Sequence, residues 1–412
     1  MTLAPSRPAP AWPGLDTVPG GARTAVSAAV ARRLFHAAVR RLDVSVLIDG
    51  RPVGRGGPVM VVSRPDEFFA RLGRDGLIGF GEAYLAGAWD AEDLTAFLTV
   101  LAADVQNLVP QPLQTMRRLV TSRAPRTHRT TTEHTRDLIA HHYDLSNDLF
   151  RLFLDESLSY SSALFDGESE LAGADLHQAQ LRKIDRLLDT TGVGAGSTVL
   201  EIGTGWGELA IRAAARGATV RSITLSTEQQ TLARERIAAA GFADRVEVDL
   251  CDYRHVEGQY DAVLSVEMIE AVGHDYWPTY FRTIDRVLAP GGRVGIQAIL
   301  MPHDRMLVTR GGYTWINKYI FPGGFLPSAQ VIDEICASDT TLRVTDRLAF
   351  GSDYAETLRR WDETFLARRD EVLDLGFDET FLRMWHFYLC YSRAGFASGY
   401  LDVQQLTFAR TA

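Results

Sequence analysis

After residue 136, short apolar runs alternate with amphipathic stretches. "STVLEIG", "ATVRSITL", "RVEVDL", "YDAVLSV" and "GRVGIQAI" predict strands, and segments such as "QQTLARERIAAAG" between the early ones predict helices. Alternation of this kind predicts an α/β domain with a parallel sheet covered on both faces. Near the end, "LRVTDRLAF" and "YLDVQQLTFA" have strand character again and predict a closing hairpin that completes the sheet. Between them and the parallel part, "PHDRMLVTRGGYTWINKYIFPGGFLPS" breaks the rhythm, so 300–340 is expected as an insertion covering the site.

The N-terminal part has a different pattern. A helical stretch, "AVSAAVARRLFHAAVRRL", precedes the strand-like "VSVLIDG" and "PVMVVS" and then "GEAYLAGAWDAEDLTAFLTVLAAD", which predicts a small α+β domain over 25–112. Residues 1–24, rich in Pro and Gly, are expected as a disordered lead with neither the charged start nor the apolar run of a signal peptide. Residues 113–135 are expected as a basic linker, because "LQTMRRLVTSRAPRTHRT" carries five arginines and no carboxylate. Such a run is equally a solvated connector or an attraction for anionic lipid.

A chain of 412 residues with 46% apolar content has material for two cores. The net charge of −9 weighs against nucleic acid as a partner, since phosphate contacts need a basic face. Cys251, Cys336 and Cys390 lie far apart, with neither metal-ligand spacing nor an even disulfide set, so no metal is expected and a reducing cytoplasm fits. No run of about 18 apolar residues occurs, and membrane contact is therefore expected to be peripheral, at the inner face.

Gly203, Gly205 and Gly207 follow a strand ending in Glu201 and precede a helix, the setting in which backbone approaches a ligand closely. A dinucleotide site would want glycine where Glu208 stands and an acid where Ser226 stands, which disfavours NAD. The spacing Glu-x-Gly-x-Gly-x-Gly, the pair Asp252–Tyr253 after the third strand and "LAPGG" at 288–292 together form the pattern of class I, Rossmann-like S-adenosylmethionine-dependent methyltransferases. Asp252 is suited to accept from an adenosine amino group and Tyr253 to lie against its ring; a turn with a core tyrosine is the plainer alternative. Ser226 and Gln229 likewise have capping-box spacing and stand equally well as a helix start.

Across 136–412 the chain resembles the cyclopropane-fatty-acid synthases, a family that includes the mycolic-acid cyclopropane synthases and related fatty-acyl methyltransferases. "HYDLSNDLF", "LFLDESLSYSSALF", "AQLRKID", "LEIGTGWG", "ITLSTEQ", "VEMIEAVGH", "YIFPGGFLPS" and "YLDVQQLTF" carry the resemblance, and "GEAYLAGAWDAEDL" extends it into the N-terminal domain. It implies a cofactor site lined by Tyr160, Ser161, Gly203, Gly205, Thr224, Leu225 and Gln229, beside Glu201, Asp252 and Tyr253 from the glycine-loop pattern. It implies that Glu270 and Tyr388 hold the bicarbonate ion the family uses as its base, and that "HYDLSNDLF" is a flap over the cofactor. Two positions depart from the familiar pattern: Ser162 replaces a cysteine and Gln297 a histidine, both able to hydrogen-bond at the base site. "VEMIEAVGH" also replaces the more common Phe-Glu-His around the acid, and plant cyclopropane synthases resemble this chain at these positions.

The activity so implied is methyl transfer to the cis double bond of an unsaturated acyl chain of a phospholipid at the membrane surface, giving a cyclopropane fatty acid. Tyr276, Trp277, Tyr313, Trp315 and Phe321 are candidates to face the resulting carbocation, though most aromatics at such spacing are core. "IQAILMPHDRM" and "WINKYIFPGG" resemble actinobacterial enzymes of tuberculostearic-type acid synthesis, whose product is methylene-branched and is then reduced by a separate reductase. A non-catalytic lipid-binding protein and a nucleic-acid or small-molecule methyltransferase are the readings from other classes. The sequence leaves a homodimer open.

Overall fold

The computed structural model describes residues 12, 14–104, 146–165, 167 and 173–411. They form two compact units. One combines the chain up to 104 with Gly312–Ile320 and Leu358–Tyr400, and the other combines 146–311, Phe321–Thr357 and the residues from Leu401 onward. The expected basic linker lies outside the described residues.

The first unit holds a four-stranded sheet of β1 (Ser45–Ile48), β2 (Arg51–Gly54), β3 (Val59–Val62) and β4 (Trp89–Ala91), in the order β2-β1-β3-β4. Asp49 and Gly50, at φ 51° and 74°, form the two-residue turn between β1 and β2; both positive values match the twist of a tight hairpin. Helices Ala22–Val39, Pro65–Asp75, Leu77–Leu85 and Leu94–Ala103 complete the predicted α+β unit, with Trp89 fully buried at its centre.

Three boundaries differ from expectation. Part of the lead is ordered: Arg71, fully buried, donates to the carbonyls of Gly14, Leu15 and Thr17 at 2.9, 2.8 and 3.2 Å. The segment 312–320 belongs to the first unit, where the Trp315 ring lies against Gly81 and both Lys318 and Tyr319 bond to the buried Glu82. Helix Glu379–Ala397 also belongs there, packing on Leu94–Ala103. The region 136–412 is therefore not one continuous domain, and 300–340 is not one continuous insertion. Hydrophobic periodicity locates such helices without revealing which core receives them.

The second unit is built on seven strands: β5 (Thr198–Ile202), β6 (Thr219–Thr224), β7 (Val246–Leu250), β8 (Tyr260–Val266), β9 (Leu288–Leu300), β10 (Leu342–Ala349) and β11 (Asp402–Arg410), in the order β10-β11-β9-β8-β5-β6-β7. β5 to β9 are parallel, and β11 runs antiparallel between β9 and β10. The closing pair is thus present, although the two strands are separated in sequence by helices rather than joined by a tight turn. Near-continuous burial along β5 and β8 is the mark of strands covered on both faces. One face is sealed by a cluster that includes Phe281, Ile284 and Phe408, the other by one that includes Leu187, Leu209 and Ala213. Strand order reverses at β5: β6 and β7 lie on one side, β8 and β9 on the other. In open α/β sheets, ligands bind in the crevice at the carboxyl ends of the strands where the order reverses.

Candidate active site

A cavity opens at that point. It is lined by Tyr160, Ser161, Glu201, Gly203, Gly205, Thr224, Leu225, Gln229, Asp252 and Tyr253, so all ten residues expected at the cofactor meet in one place. Gly203, Gly205 and Gly207 have φ of 100°, 53° and 90°, a backbone that glycine adopts without strain, and Gly207 leads into helix Glu208–Ala215. At the end of β5, the buried Glu201 accepts from the Ser222 hydroxyl, while burial pushes its carboxyl up to about 8. Thr224 donates to Gln229 Oε1 at 2.8 Å, and Ser226 caps the helix Thr227–Ala239 through Gln229 N at 3.2 Å. Ser226 is thus a cap, as its spacing allowed, while Gln229 also lines the cavity.

Asp252 caps a short turn through Arg254 N at 3.0 Å and bonds the Arg254 guanidinium. Burial works to raise its pKa, but the Arg254 bonds outweigh this and hold the carboxyl below its ordinary range. Burial pushes the Tyr253 phenol up to about 12, and its ring sits edge-on to Tyr280. The described part of "HYDLSNDLF" forms helix Asn147–Phe153, and its first four residues lie outside the described ones. Phe150 and Phe153 pack on Tyr160, Phe150 packs on Trp206, and Asn147 accepts from Trp206 Nε1 at 2.8 Å. Aromatic packing therefore anchors the loop that brings Tyr160 and Ser161 to the cavity.

Beside the cavity lies a polar cluster that composition did not announce. Glu267, immediately after β8, lines the cavity with φ 49°. For a residue with a long side chain this is a strained conformation, costing about 1 kcal/mol or more. Its Oε1 accepts from Ser162 N at 2.9 Å and Gln297 Nε2 at 2.8 Å, and its Oε2 accepts from the Tyr354 hydroxyl at 2.6 Å. Gln297, fully buried, is oriented by Gln405, which donates to its Oε1 at 3.1 Å and in turn accepts from Arg186. Glu270 Oε1 accepts from Ile299 N at 2.6 Å, whereas its buried Oε2 has no partner among the described residues. Desolvation first, and the neighbouring Glu267 second, push Glu270 up to about 8. Lys183, buried, donates to Ser161 Oγ at 2.6 Å; burial pulls its ammonium down to about 8 against the opposing pull of Glu267.

The chain is 54% identical over 406 residues to the tuberculostearic acid methyltransferase UfaA1 of Mycobacterium tuberculosis, covering 97% of this chain and 95% of that one. It is 34% identical to the cyclopropane-fatty-acyl-phospholipid synthase of Escherichia coli strain K12, covering 88% and 90%. The solved mycolic acid cyclopropane synthase CmaA1, complexed with SAH and CTAB, superposes with a TM-score of 0.60 at 29% identity over 69% of this chain and 98% of that one. Residues 129–406 match the model of the mycolic acid cyclopropane synthetase family.

The chain belongs to that family. It is an S-adenosylmethionine-dependent C-methyltransferase with a Rossmann-like α/β domain.

As a family member it places its expected catalytic residues unevenly. Gln297 and the Ser162 backbone meet at the acid cluster, with Glu270 next to it. The Ser162 hydroxyl instead donates to Ala163 O at 2.9 Å, so Ser162 takes part through its amide. Tyr388 lies in the first unit, buried and edge-on to Trp385; within the second unit the tyrosine that meets the carboxylates is Tyr354. Trp277 and Trp315 are core residues, the former stacked on Phe325 and donating to Ile269 O at 3.1 Å. The residues missed by sequence reasoning are Glu267, Tyr354 and Lys183. The signal for the first was the first of the two acids of "VEMIE", directly after a strand at the reversal point.

The cavity suits S-adenosylmethionine: glycine backbone at its floor, carboxylates at Glu201 and Asp252, and an aromatic wall at Tyr253. For bicarbonate the fit is poor, because the Ser162 amide, Gln297 and Tyr354 already donate to Glu267.

Proposed function

We propose that this methyltransferase moves the methyl group of S-adenosylmethionine to the cis double bond of an unsaturated fatty acyl chain of a phospholipid. The observation that carries this reading is the convergence of all ten expected cofactor residues on one cavity at the strand-order reversal, adjoining a partly buried acid cluster. When bound, the cofactor supplies an electrophilic methyl. The chain's part is to hold it on the Gly203–Gly205 backbone, set its ribose and adenine toward Glu201, Asp252 and Tyr253, and exclude water with the Phe150–Tyr160–Trp206 packing. An isolated alkene is a weak nucleophile, so positioning in a dry pocket is the main catalytic resource.

The alkene π pair bonds to the methyl carbon while the carbon–sulfur pair returns to sulfur, leaving a cation on the adjacent acyl carbon. Loss of a proton from the new methyl with ring closure gives a cyclopropane. A second product reading has its own observation in the 54% identity to UfaA1 over nearly the whole chain: hydride migration toward the cation followed by proton loss from the methyl gives a methylene branch, which a separate reductase would convert to a methyl branch. No step is assigned to bicarbonate, because Glu267 already takes the Gln297 and Ser162 amides beside which that ion was expected.

The substrate would be met at a membrane surface. No helix among the described residues is long and apolar enough to cross a membrane, and Leu307 and Val308 stand exposed on helix His303–Thr309 of the second unit. The test is incubation with isotopically labelled S-adenosylmethionine and vesicles of mono-unsaturated phospholipid. Gain of one methylene unit by the acyl chain is expected, with cyclopropane and vinylidene protons told apart by NMR. Cofactor binding without any labelled lipid would contradict the proposal and favour a non-catalytic lipid-binding protein.

A further inference from the structure

We propose that Glu267 is a built-in general base, its side-chain carboxylate taking the proton that a bound bicarbonate would otherwise remove. The inference rests on the methyl transfer proposed above and deepens it. The resemblance gave the base site to a bicarbonate ion held by Glu270 and Tyr388, with Ser162 and Gln297 able to hydrogen-bond there. In the structure a Ser162 amide, the Gln297 amide and the Tyr354 hydroxyl surround an anion at 2.9, 2.8 and 2.6 Å, and that anion is the carboxylate of Glu267 itself.

Four further features agree. The side chain is kept at a backbone position, φ 49°, where glycine would sit without strain, and strain retained beside a reaction cavity points to a use. An ionised carboxylate offers about four lone-pair positions, and the donors found among the described residues occupy three, leaving one for a proton from substrate. Glu270 stands close enough to be pushed toward its neutral form, so a free anion added here would meet an occupied and charged site. Gln297, locked by Gln405, holds Glu267 Oε1 while Oε2 rests on Tyr354, which fixes the carboxylate plane.

The step balances without a co-reactant. The carbon–hydrogen bond of the transferred methyl breaks, and its electron pair closes the ring or, after hydride migration, forms the exocyclic double bond. The proton passes to Glu267, which becomes a carboxylic acid and returns its proton to solvent before the next turnover.

The test uses the full-length chain, unsaturated phospholipid vesicles and buffers with or without bicarbonate. Wild type should form product at the same rate in both. Glu267→Gln should bind S-adenosylmethionine as wild type does by calorimetry, yet lose turnover by about 10²-fold or more, the low end for a positioned base. Glu267→Gly, which relieves the strain and opens an anion-sized space among the same donors, should regain on the order of tenfold of its lost rate when bicarbonate is added. ¹³C-labelled bicarbonate observed by NMR should bind Glu267→Gly and not wild type, a readout that needs no turnover. A wild type that stalls without bicarbonate, that binds the labelled ion, or that is matched in rate by Glu267→Gln would overturn the proposal while leaving methyl transfer standing. A wild type that methylates no lipid removes the functional reading, and the binding arm still decides whether Glu267 fills the anion site.

Discussion

Two turns sit at the carboxyl ends of adjacent strands, one after β5 and one after β8, and they solve the same backbone problem differently. The first places glycines at its positive-φ positions, Gly203, Gly205 and Gly207. The second places Glu267 there. Where the chain obeys the local rule, backbone is bared to a ligand; where it breaks the rule, a carboxylate is forced into the cavity and held by Ser162, Gln297 and Tyr354. In the function proposed here the glycine turn binds and the glutamate turn does chemistry.

The comparison breaks most visibly if the glycine turn is blocked. Gly205→Val puts a β-branched residue at φ 53°, so S-adenosylmethionine affinity measured by calorimetry should fall by about 10²-fold or more while the far-ultraviolet spectrum stays wild type. An unchanged affinity would detach that loop from the site. Tyr354→Phe acts on the other turn: it removes one charge-assisted bond to Glu267, worth about 1.5–3 kcal/mol, and should slow turnover by on the order of tenfold. That bond lowers the Glu267 pKa, so its loss should move the acid limb of the pH–rate profile to higher pH. Cofactor affinity should be untouched.

How far these turns were legible from sequence differs for the same reason. Five parallel strands and the glycine loop follow local patterns, and the ten residues expected at the cofactor, most of them from the resemblance, line one cavity. Tyr354 could not be found that way: it lies on a helix whose first turns pack in the second unit while its later residues join the first. Tyr388 was expected from the resemblance and falls among the residues of the first unit. Glu267 was passed over because Glu270, three residues on, had already taken the acid's role, and nothing in one-dimensional spacing reveals a positive φ. The Ser162 substitution looked like a change of side-chain chemistry, yet the site uses its amide.

A smaller effect sharpens the electrostatic side. Glu270 has its folded pKa raised to about 8 from an ordinary 4.5, so its contribution to stability is fully present below 4.5 and is lost as pH rises through 8. Glu270→Gln should flatten the fall in melting temperature across that window by on the order of 1 kcal/mol, a few degrees. If wild type and variant lose stability in parallel, the group is ionised in the folded protein. Weakest is the membrane term. The arginines from Arg117 to Arg129, outside the described residues, should attract anionic headgroups by about 1 kcal/mol each near the surface and within about 8 Å. Cosedimentation with anionic vesicles should therefore weaken with salt and with charge reversal at Arg117, Arg118 and Arg126.

The division of labour between the two turns is tested most directly by a single-turnover measurement on Glu267→Gln already saturated with S-adenosylmethionine, reading finished methylated acyl chain by mass spectrometry. The account predicts full cofactor occupancy and product formation slowed by about 10²-fold or more, in the presence or absence of bicarbonate. Product appearing at the wild-type rate would contradict it, and the carboxylate after β8 would then be a structural anchor for Gln297 and Tyr354 rather than the base.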